Sequence, residues 1–313
     1  MAKATGRRSP PGLTVSVAQT DTRGVDSAGE WIAAHCCPTG PSAVVRSRVW
    51  ATTTRIPTAD GPVWFKACAP SHRFEAELVP SLARCRPELL PRVLAHDAAR
   101  GWLLTADAGT SFRQLGNPPE LWLRLLPRYA ELQRDASVPG AVPDRTLPRW
   151  PELYDELVAS ELPLEPAEAK RLGDYAPRYA AICEELAGHG LPATVQHDDL
   201  HDTNSFVDGD VLRMADWGDA SLSHPFVSLV VTFRFLEERS GLVPADPWFA
   251  KLRDAYLEPW GPGLVATFDL AQRLGRFVHA FGWVSLRRLL PAEERPAYDV
   301  PFRTVLRRAL SMS

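Results

Sequence analysis

Two short stretches, QHDDLHDTN at residues 196–204 and ADWGD at residues 215–219, determine how the rest of the chain is interpreted. Between them lies Asp208-Gly209-Asp210, a turn sequence that predicts a tight β-hairpin. Asn204 enters this hairpin and Asp216 leaves it, so the turn can bring both side chains to the same end. The pair offers only oxygen ligands, which restricts the chemistry it can support.

This oxygen-rich set predicts a site for a hard divalent cation. Mg²⁺ takes oxygen ligands from one or two protein groups and leaves places for substrate phosphates, and Asn204 with Asp216 supplies such ligands. Asp199 lies on the loop just before the hairpin and is not needed by the metal. A second carboxylate of this kind, free of the metal, can orient and deprotonate an attacking hydroxyl. The pattern is typical of phosphoryl transfer.

The order His-x-Asp-x4-Asn at residues 197–204, followed by Asp-x-Gly, resembles the catalytic and metal-binding loops of protein kinases. The segments HDDLHDTN and ADWGDASLSHP resemble more closely the motifs of the aminoglycoside phosphotransferase and choline kinase family, whose usual sequences are HGDLHPGN and IDWGDA. The resemblance implies that Asp199 is the catalytic base and that Asn204 and Asp216 bind Mg²⁺. It also implies that His197 is a structural residue that steadies the loop.

A lysine interrupts the apolar stretch VWFKAC at residues 63–68, and only four of the 35 basic residues are lysines. A buried unpaired ammonium group is costly, so Lys66 should have an anionic partner. In kinases the corresponding lysine contacts the α- and β-phosphates and a glutamate of the next helix. Glu75 and Glu77 are the candidates here. Glu75 is favoured because apolar residues follow it at i+3, i+4 and i+7.

The chain departs from the kinase pattern in front of Lys66, because no glycine-rich loop precedes it. The corresponding residues 48–53 read RVWATT. The hydroxyl of Thr52 or of the next threonine, or backbone amides, could cap the phosphates instead. The connector at residues 105–108 is expected to offer backbone groups to adenine, a role implied by the resemblance, with Thr105 and Asp107 as candidates.

The order of predicted elements indicates two lobes. Residues 1–24 are expected to be a loose tail, followed by a short helix at 27–35 with Ser27 as its cap. A β-β-β-α-β-β pattern then runs to residue 107, and a mainly helical region follows, with predicted helices at 121–134, 151–160, 165–187, 225–238, 247–257 and 264–290. We therefore expect an α+β, bilobal protein-kinase-like fold, with a small β-rich N-terminal lobe (25–107) and a larger helical C-terminal lobe (108–313).

Composition excludes several other classes of protein. The 313 residues carry a formal net charge of −3, which argues against a general nucleic-acid binder. No apolar run approaches the roughly 18 residues of a membrane span, and the N-terminus lacks the apolar core of a secretory signal. Five cysteines without a CxxC pair are typical of a reduced protein. A cytoplasmic location is expected.

The resemblance implies an ATP- and Mg²⁺-dependent phosphotransferase that acts on a hydroxyl group. Pro225 and an apolar helix follow Asp216 within nine residues, which leaves no room for the long peptide-binding segment of protein kinases. A small-molecule acceptor is therefore expected: an aminoglycoside or related antibiotic, an amino alcohol, or a sugar or other metabolite.

Alternative interpretations stay open at several positions. The whole chain could be a non-catalytic nucleotide-binding protein that keeps only the fold, or His197 and His201 could belong to a metal-dependent hydrolase. Asp198 stands beside the expected base and would raise its pKa unless it points to solvent. Asp219 could contact substrate or metal, or could cap nearby backbone. Six acidic residues between 152 and 168 could attract a polycation, although a solvated helix face is favoured.

Overall fold

The computed structural model describes residues 22–311, which begin with an antiparallel sheet that has a helix on each face. The sheet has five strands in the order β1-β2-β3-β5-β4. The elements of this lobe are α1 (Thr22–His35), β1 (Ala43–Arg48), β2 (Ala51–Ile56), β3 (Val63–Cys68), α2 (Glu75–Cys85), β4 (Val93–Asp97) and β5 (Trp102–Ala106). The β-β-β-α-β-β order predicted from the sequence is confirmed.

Alternation along β3 separates the two faces of this sheet. Phe65 points toward α1, where its ring lies 5.9 Å from Trp31, and Trp31 also packs 5.6 Å from Trp102 of β5. Because successive side chains of a strand point to opposite faces, Lys66 lies on the other face, toward α2. The apolar face is sealed by α1, and the face that carries Lys66 borders the cleft between the lobes.

The remainder of the described chain is mainly helical, with short strands between the helices. The helices are α3 (Pro119–Asp135), α4 (Trp150–Ala159), α5 (Pro166–Asp174), α6 (Ala176–Ala187), α7 (Leu229–Arg239), α8 (Pro247–Leu257), α9 (Val265–Leu289) and α10 (Pro296–Leu310). The strands are β6 (Thr110–Ser111), β7 (Thr194–Gln196), β8 (Ser205–Asp208), β9 (Val211–Met214) and β10 (Ser221–Ser223). Helix α9 crosses the core and buries apolar residues along most of its length.

These short strands position the two loops singled out in the sequence. Strand β7 pairs with β10 and ends at Gln196, directly before the first loop. Strands β8 and β9 form the predicted hairpin, and β9 ends at Met214, two residues before Asp216. Each loop therefore begins at the end of a paired strand, which fixes the position of its first residue.

The predicted α+β architecture with a small sheet lobe and a helical lobe is confirmed, and three details are corrected. Helix α1 begins at Thr22, so Ser27 lies inside it and is not its cap. The tail predicted at 1–24 falls mostly outside the described residues, and residues 22–24 are helical. The single helix predicted over 165–187 is two helices, because Pro177 can start a helix but interrupts one that is already running.

Helix α10 was absent from the sequence-based prediction. Its two prolines, Pro296 at the start and Pro301 inside, weaken the helical pattern, yet the helix packs against α9. Residues 25–107 and 108–313 stay our proposed extents for the two lobes. Over the described residues, we find no helix with enough length and apolar character to cross a membrane.

Candidate active site

Lys66 connects the sheet of the N-terminal lobe to α2 and to the C-terminal lobe. Its Nζ atom lies 2.5 Å from Oε2 of Glu75, the glutamate that helix phase favours over Glu77. Oε1 of this buried glutamate accepts a hydrogen bond of 2.9 Å from the backbone amide of Trp217. Gly218 makes this approach possible, because a Cβ atom there would lie 3.2 Å from Oε2 of Glu75. A single carboxylate thus links the lysine to the loop after β9.

Asp216 lies between two cationic side chains. Lys66 Nζ is 2.6 Å from its Oδ1 atom, and Arg46 Nη1 of strand β1 is 3.1 Å from its Oδ2 atom. Burial raises the pKa of the Asp216 carboxyl, but the charges of Lys66 and Arg46 outweigh burial and hold this pKa well below its ordinary value. Burial likewise lowers the pKa of Lys66, but Asp216 and Glu75 keep it above its ordinary value. Asp216 and Lys66 are therefore both charged near neutral pH.

The hairpin brings Asn204 next to both predicted carboxylates. Ser205 pairs with Met214 in the ladder, and the amide of Ala215 donates to the carbonyl of Asn204 at 2.9 Å, so Asn204 and Asp216 lie at the same end. Nδ2 of Asn204 donates to the backbone oxygen of Asp199 at 2.9 Å and to its Oδ2 atom at 3.2 Å. The amide oxygen of Asn204 points elsewhere, and its contact in the described chain is a 3.5 Å one from the Thr203 hydroxyl.

His197 lies in the interior and joins the two loops. Its Nε2–H donates to the carbonyl of Ala215 at 3.0 Å, its ring centroid lies 4.6 Å from that of Trp217, and its backbone amide donates to the Tyr129 hydroxyl at 3.0 Å. Burial lowers the pKa of His197, which keeps the ring neutral. These contacts tie the two loops together, and the structural role that the resemblance implied for His197 stays a prediction.

His201 also contacts the carboxylate of the expected base, Asp199. Its Nε2–H donates to Oδ2 of Asp199 at 3.2 Å, its Nδ1 atom lies 3.2 Å from Oδ1 of Asp202, and its ring stacks at 4.3 Å on Phe235. Burial opposes protonation, but the hydrogen bonds to Asp199 and Asp202 raise the pKa of His201 to about 9. The hydrogen bond from Nε2 of His201 fixes the orientation of the Asp199 carboxylate.

These contacts argue against a hydrolytic metal centre built on the two histidines. Nε2 of His197 is engaged with a carbonyl oxygen and Nε2 of His201 with a carboxylate. Over residues 28–311, no group of three His, Cys, Asp or Glu side chains is arranged to hold a metal ion. The chemistry of the site therefore depends on its carboxylates, its amide and its lysine.

Asp198 neither points to open solvent nor stands as a free charge beside Asp199. Its carboxylate is buried, with Oδ2 3.0 Å from Nη1 of Arg145 and in a hydrogen bond with the hydroxyl of Ser221. Burial raises the pKa of Asp198, and the Arg145 charge counteracts that shift. Its backbone φ of 57° is left-handed, a conformation that Asp tolerates better than most residues. The expected repulsion is thus replaced by an ion pair.

Removing Arg145 should destabilise the protein strongly, because Asp198 would stay buried without its partner. We expect Arg145→Ala to lower the free energy of unfolding by about 3–5 kcal/mol, as for other broken buried pairs. Urea unfolding measures this loss. The double variant Arg145→Ala/Asp198→Asn should recover much of it, and Arg149→Ala, which removes an exposed pair with Glu152, should change little. A single-variant loss no larger than that of Arg149→Ala would contradict the argument.

Asp219 faces the cleft and accepts no hydrogen bond within the described residues, so the capping interpretation has no support there. Although solvent reaches its side chain from the cleft, crowding by protein and the charges of Asp199 and Asp216 raise its pKa. A third carboxylate is therefore close to the expected base and metal ligand.

The side chain of Thr52 lies on the face of the sheet opposite to that of Lys66. Thr52 pairs with Ala67, and its hydroxyl lies 3.2 Å from that of Ser47. Thr53 pairs directly with Lys66, so its side chain lies on the cleft face. Alternation in β2 therefore sends the two threonines to opposite faces, with Thr53 on the face of Lys66, and contact of either threonine with phosphates stays a prediction.

The connector between the lobes is held by its own contacts. Oδ2 of Asp107 accepts a hydrogen bond of 2.9 Å from the indole of Trp64, and Oδ1 accepts one of 2.8 Å from the amide of Gly109. Thr105 pairs with Trp64 across the sheet. The Asp107 side chain therefore shapes the connector, and a direct role for Thr105 or Asp107 toward adenine stays a prediction.

The residues present fit a divalent cation. Each carboxylate oxygen of Asp216 already contacts a cationic group, Lys66 at Oδ1 and Arg46 at Oδ2. The Arg46 side chain is half-exposed. The amide oxygen of Asn204 lies at the same end of the hairpin with only a long contact to Thr203. An amide and a carboxylate oxygen are the hard ligands that Mg²⁺ prefers.

Sequence reasoning missed Arg46 and Arg145, and it identified His201 only as a possible hydrolase ligand. The two arginines pair with carboxylates 170 and 53 positions away in the chain. Because 31 of the 35 basic residues are arginines, nothing in the sequence distinguishes these two. For His201, its spacing of two residues from Asp199 was a usable signal.

Comparison with known proteins gives a family and a fold. The model of the phosphotransferase enzyme family matches residues 55–273. A comparison with curated protein sequences finds no match.

Several solved structures share the fold at low sequence identity. A choline/ethanolamine kinase family protein from Mesorhizobium loti has a TM-score of 0.63 and 18% identity, covering 92% of this chain and 98% of that one. The choline kinase LicA from Streptococcus pneumoniae has a TM-score of 0.64 and 14% identity over 92% and 99% of the two chains. The spectinomycin phosphotransferase APH(9)-Ia, solved with ADP and spectinomycin, has a TM-score of 0.56 and 14% identity over 92% and 98%. The predicted protein-kinase-like fold is confirmed.

Proposed function

This chain belongs to the phosphotransferase enzyme family, and we propose that it transfers the γ-phosphoryl group of ATP to a hydroxyl of a small molecule with Mg²⁺ as the metal. The observation that carries the proposal is the convergence of Lys66, Asp199, Asn204 and Asp216 in one cleft. Lys66 comes from the sheet lobe and touches Asp216 of the helical lobe at 2.6 Å. A cleft that joins a lysine to a metal-binding carboxylate is what phosphoryl transfer requires.

Each side chain has a proposed part in the reaction. Lys66, oriented by Glu75, donates hydrogen bonds to the α- and β-phosphates. Asn204 and Asp216 hold Mg²⁺, which when bound neutralises charge on the phosphates and on the leaving group. Asp199 orients the acceptor hydroxyl and accepts its proton while the hydroxyl oxygen bonds to the γ-phosphorus. The bond between that phosphorus and the bridging oxygen breaks, and ADP leaves with the electron pair.

The contacts of Asp199 support its proposed role. His201 and Asn204 both donate hydrogen bonds to its Oδ2 atom at 3.2 Å, which fixes the carboxylate. Much of the rate enhancement in phosphoryl transfer comes from such positioning and from electrostatic stabilisation.

A small acceptor is supported by the chain after Asp216. Strand β10 begins at Ser221 and pairs with β7, and α7 begins at Leu229, so the segment returns directly into the core. The neighbours described as choline kinase and spectinomycin phosphotransferase act on small hydroxylated molecules, which supports the same class here. We propose no narrower acceptor among aminoglycosides or related antibiotics, amino alcohols and sugars.

The acidic run at residues 152–168 gives no support for a polycationic acceptor. Its members lie on α4, on α5 or in the segment between them, at exposed or half-buried positions. Several form ion pairs with surface arginines: Arg149–Glu152, Arg288–Glu156 and Arg307–Glu168. Paired surface acids of this kind form a solvated face, the interpretation that the sequence favoured.

The proposal is tested by thermal unfolding of the purified protein with ATP and Mg²⁺. We expect a Mg²⁺-dependent stabilisation of about 2.7 kcal/mol when the nucleotide is at 100 times its Kd. Asp216→Ala should lose the Mg²⁺-dependent part. ADP release is then measured across hydroxylated acceptors of the three classes.

A non-catalytic nucleotide-binding protein is the alternative, and the same experiments distinguish it. Such a protein would bind nucleotide without releasing ADP with any acceptor. The absence of any shift at millimolar ATP would contradict both functions.

A further inference from the structure

The segment in front of Lys66, where a glycine-rich loop would lie, has no glycine between residues 41 and 60. The turn between β1 and β2 is formed by Val49 and Trp50, whose side chains hinder a close approach of backbone amides to phosphate groups. Another group must then neutralise the outer phosphates from this side of the cleft.

A β-bulge in β1 supplies a candidate. Val44 pairs with Thr54, but Arg46, two residues later, pairs with Thr53, so one residue of β1 has no partner of its own. Regular alternation would put Arg46 on the same face as Val44, toward α1. The extra residue shifts it to the face of Thr53 and Lys66 instead. The bulge therefore aims a cation into the cleft.

Arg46 is suited to exchange one anionic partner for another. It contacts Oδ2 of Asp216 at 3.1 Å, and its side chain is 50% exposed, so little holds it in place. That oxygen belongs to the carboxylate that we propose as a metal ligand. A cation that takes Asp216 displaces Arg46, while the nucleotide brings phosphate oxygens into the same cleft. The planar guanidinium matches phosphate geometry with two parallel hydrogen bonds.

We propose that Arg46 is a phosphate-binding residue that holds Asp216 in the free protein and moves to the outer phosphates of bound nucleotide. This inference rests on the proposed function, since it assumes that nucleotide and metal occupy the cleft. In this way the side chain of a bulged strand replaces the backbone amides of a glycine-rich loop. Because one guanidinium cannot pair with Oδ2 of Asp216 and with the outer phosphates at once, the two positions of Arg46 are mutually exclusive.

The test is calorimetric titration of wild type and Arg46→Ala with AMP, ADP and the non-hydrolysable analogue AMP-PNP, each with Mg²⁺. We expect Arg46→Ala to weaken AMP-PNP binding by about 10- to 100-fold and AMP binding by less than twofold. The AMP-PNP affinity of Arg46→Lys should lie between those of wild type and Arg46→Ala, because lysine keeps the charge but cannot donate two parallel hydrogen bonds. Arg100→Ala, a matched arginine in the β4–β5 turn that pairs with Asp97, should match wild type.

A second readout is the affinity for Mn²⁺ alone, measured by electron paramagnetic resonance, which Arg46→Ala should not weaken. Arg46→Ala should bind Mn²⁺ at least as tightly as wild type, because Oδ2 of Asp216 loses its competitor. If wild type prefers AMP-PNP to AMP and Arg46→Ala keeps that preference, the role of Arg46 is overturned and the proposed function stands. If wild type binds none of the nucleotides, both are overturned.

Discussion

Replacing Asp199 by alanine is expected to lower kcat by about 10²- to 10⁴-fold, the usual contribution of a general base. Nucleotide affinity should stay close to that of wild type, because Asp199 contacts neither Lys66 nor Asp216. Its side-chain partners are His201 and Asn204. The measurement is ADP release with the best acceptor, together with calorimetric binding of AMP-PNP and Mg²⁺.

Two further variants define what the loss means. Asp199→Asn keeps the shape of the side chain and should lose nearly as much activity, because the amide cannot accept the proton. Asp210→Ala removes a fully exposed carboxylate from the turn of the same hairpin and should leave kcat unchanged. Equal losses of transfer and of nucleotide binding in Asp199→Ala would show that the residue organises the nucleotide site and is not the base.

Much of this site could be predicted because its residues are close in sequence. Asp199, Asn204 and Asp216 lie on two loops joined by one hairpin, and a turn sequence is a local signal that needs no knowledge of the fold. The pairing of Lys66 with Glu75 also followed from local pattern, since strand alternation and helix phase place both side chains on facing surfaces. The two-lobe order could be predicted for the same reason.

The features that were missed depend on contacts between distant parts of the chain. Arg145 reaches Asp198 from the segment before α4, and Arg46 reaches Asp216 only because a bulge changes the alternation of β1. A bulge has no reliable sequence signature, so strand periodicity alone misplaces every residue beyond it. The sequence could not tell which of the adjacent Thr52 and Thr53 shares the face of Lys66, because that depends on the pairing partner of each.

Replacing Lys66 by alanine should affect both catalysis and stability. We expect transfer to fall by about 10²- to 10³-fold with a raised KM for ATP, because a preorganised phosphate donor is lost. Stability should fall by about 3–5 kcal/mol, because Glu75 is left in the interior without its ammonium partner. Transfer is measured as ADP release at several ATP concentrations, and stability by urea unfolding.

The losses of transfer and of stability in Lys66→Ala can be measured separately, which tests whether the lysine contacts phosphate or only pairs with Glu75. Lys66→Ala/Glu75→Gln removes the unpaired charge and should recover stability without recovering the use of ATP. Lys251→Ala removes a lysine that lies over the ring of Trp248, outside the cleft, and should leave both properties unchanged. An unchanged KM for ATP with normal turnover in stable Lys66→Ala protein would refute contact with phosphate. The ion pair with Glu75 would then be structural, and the cleft would need another cation for the inner phosphates.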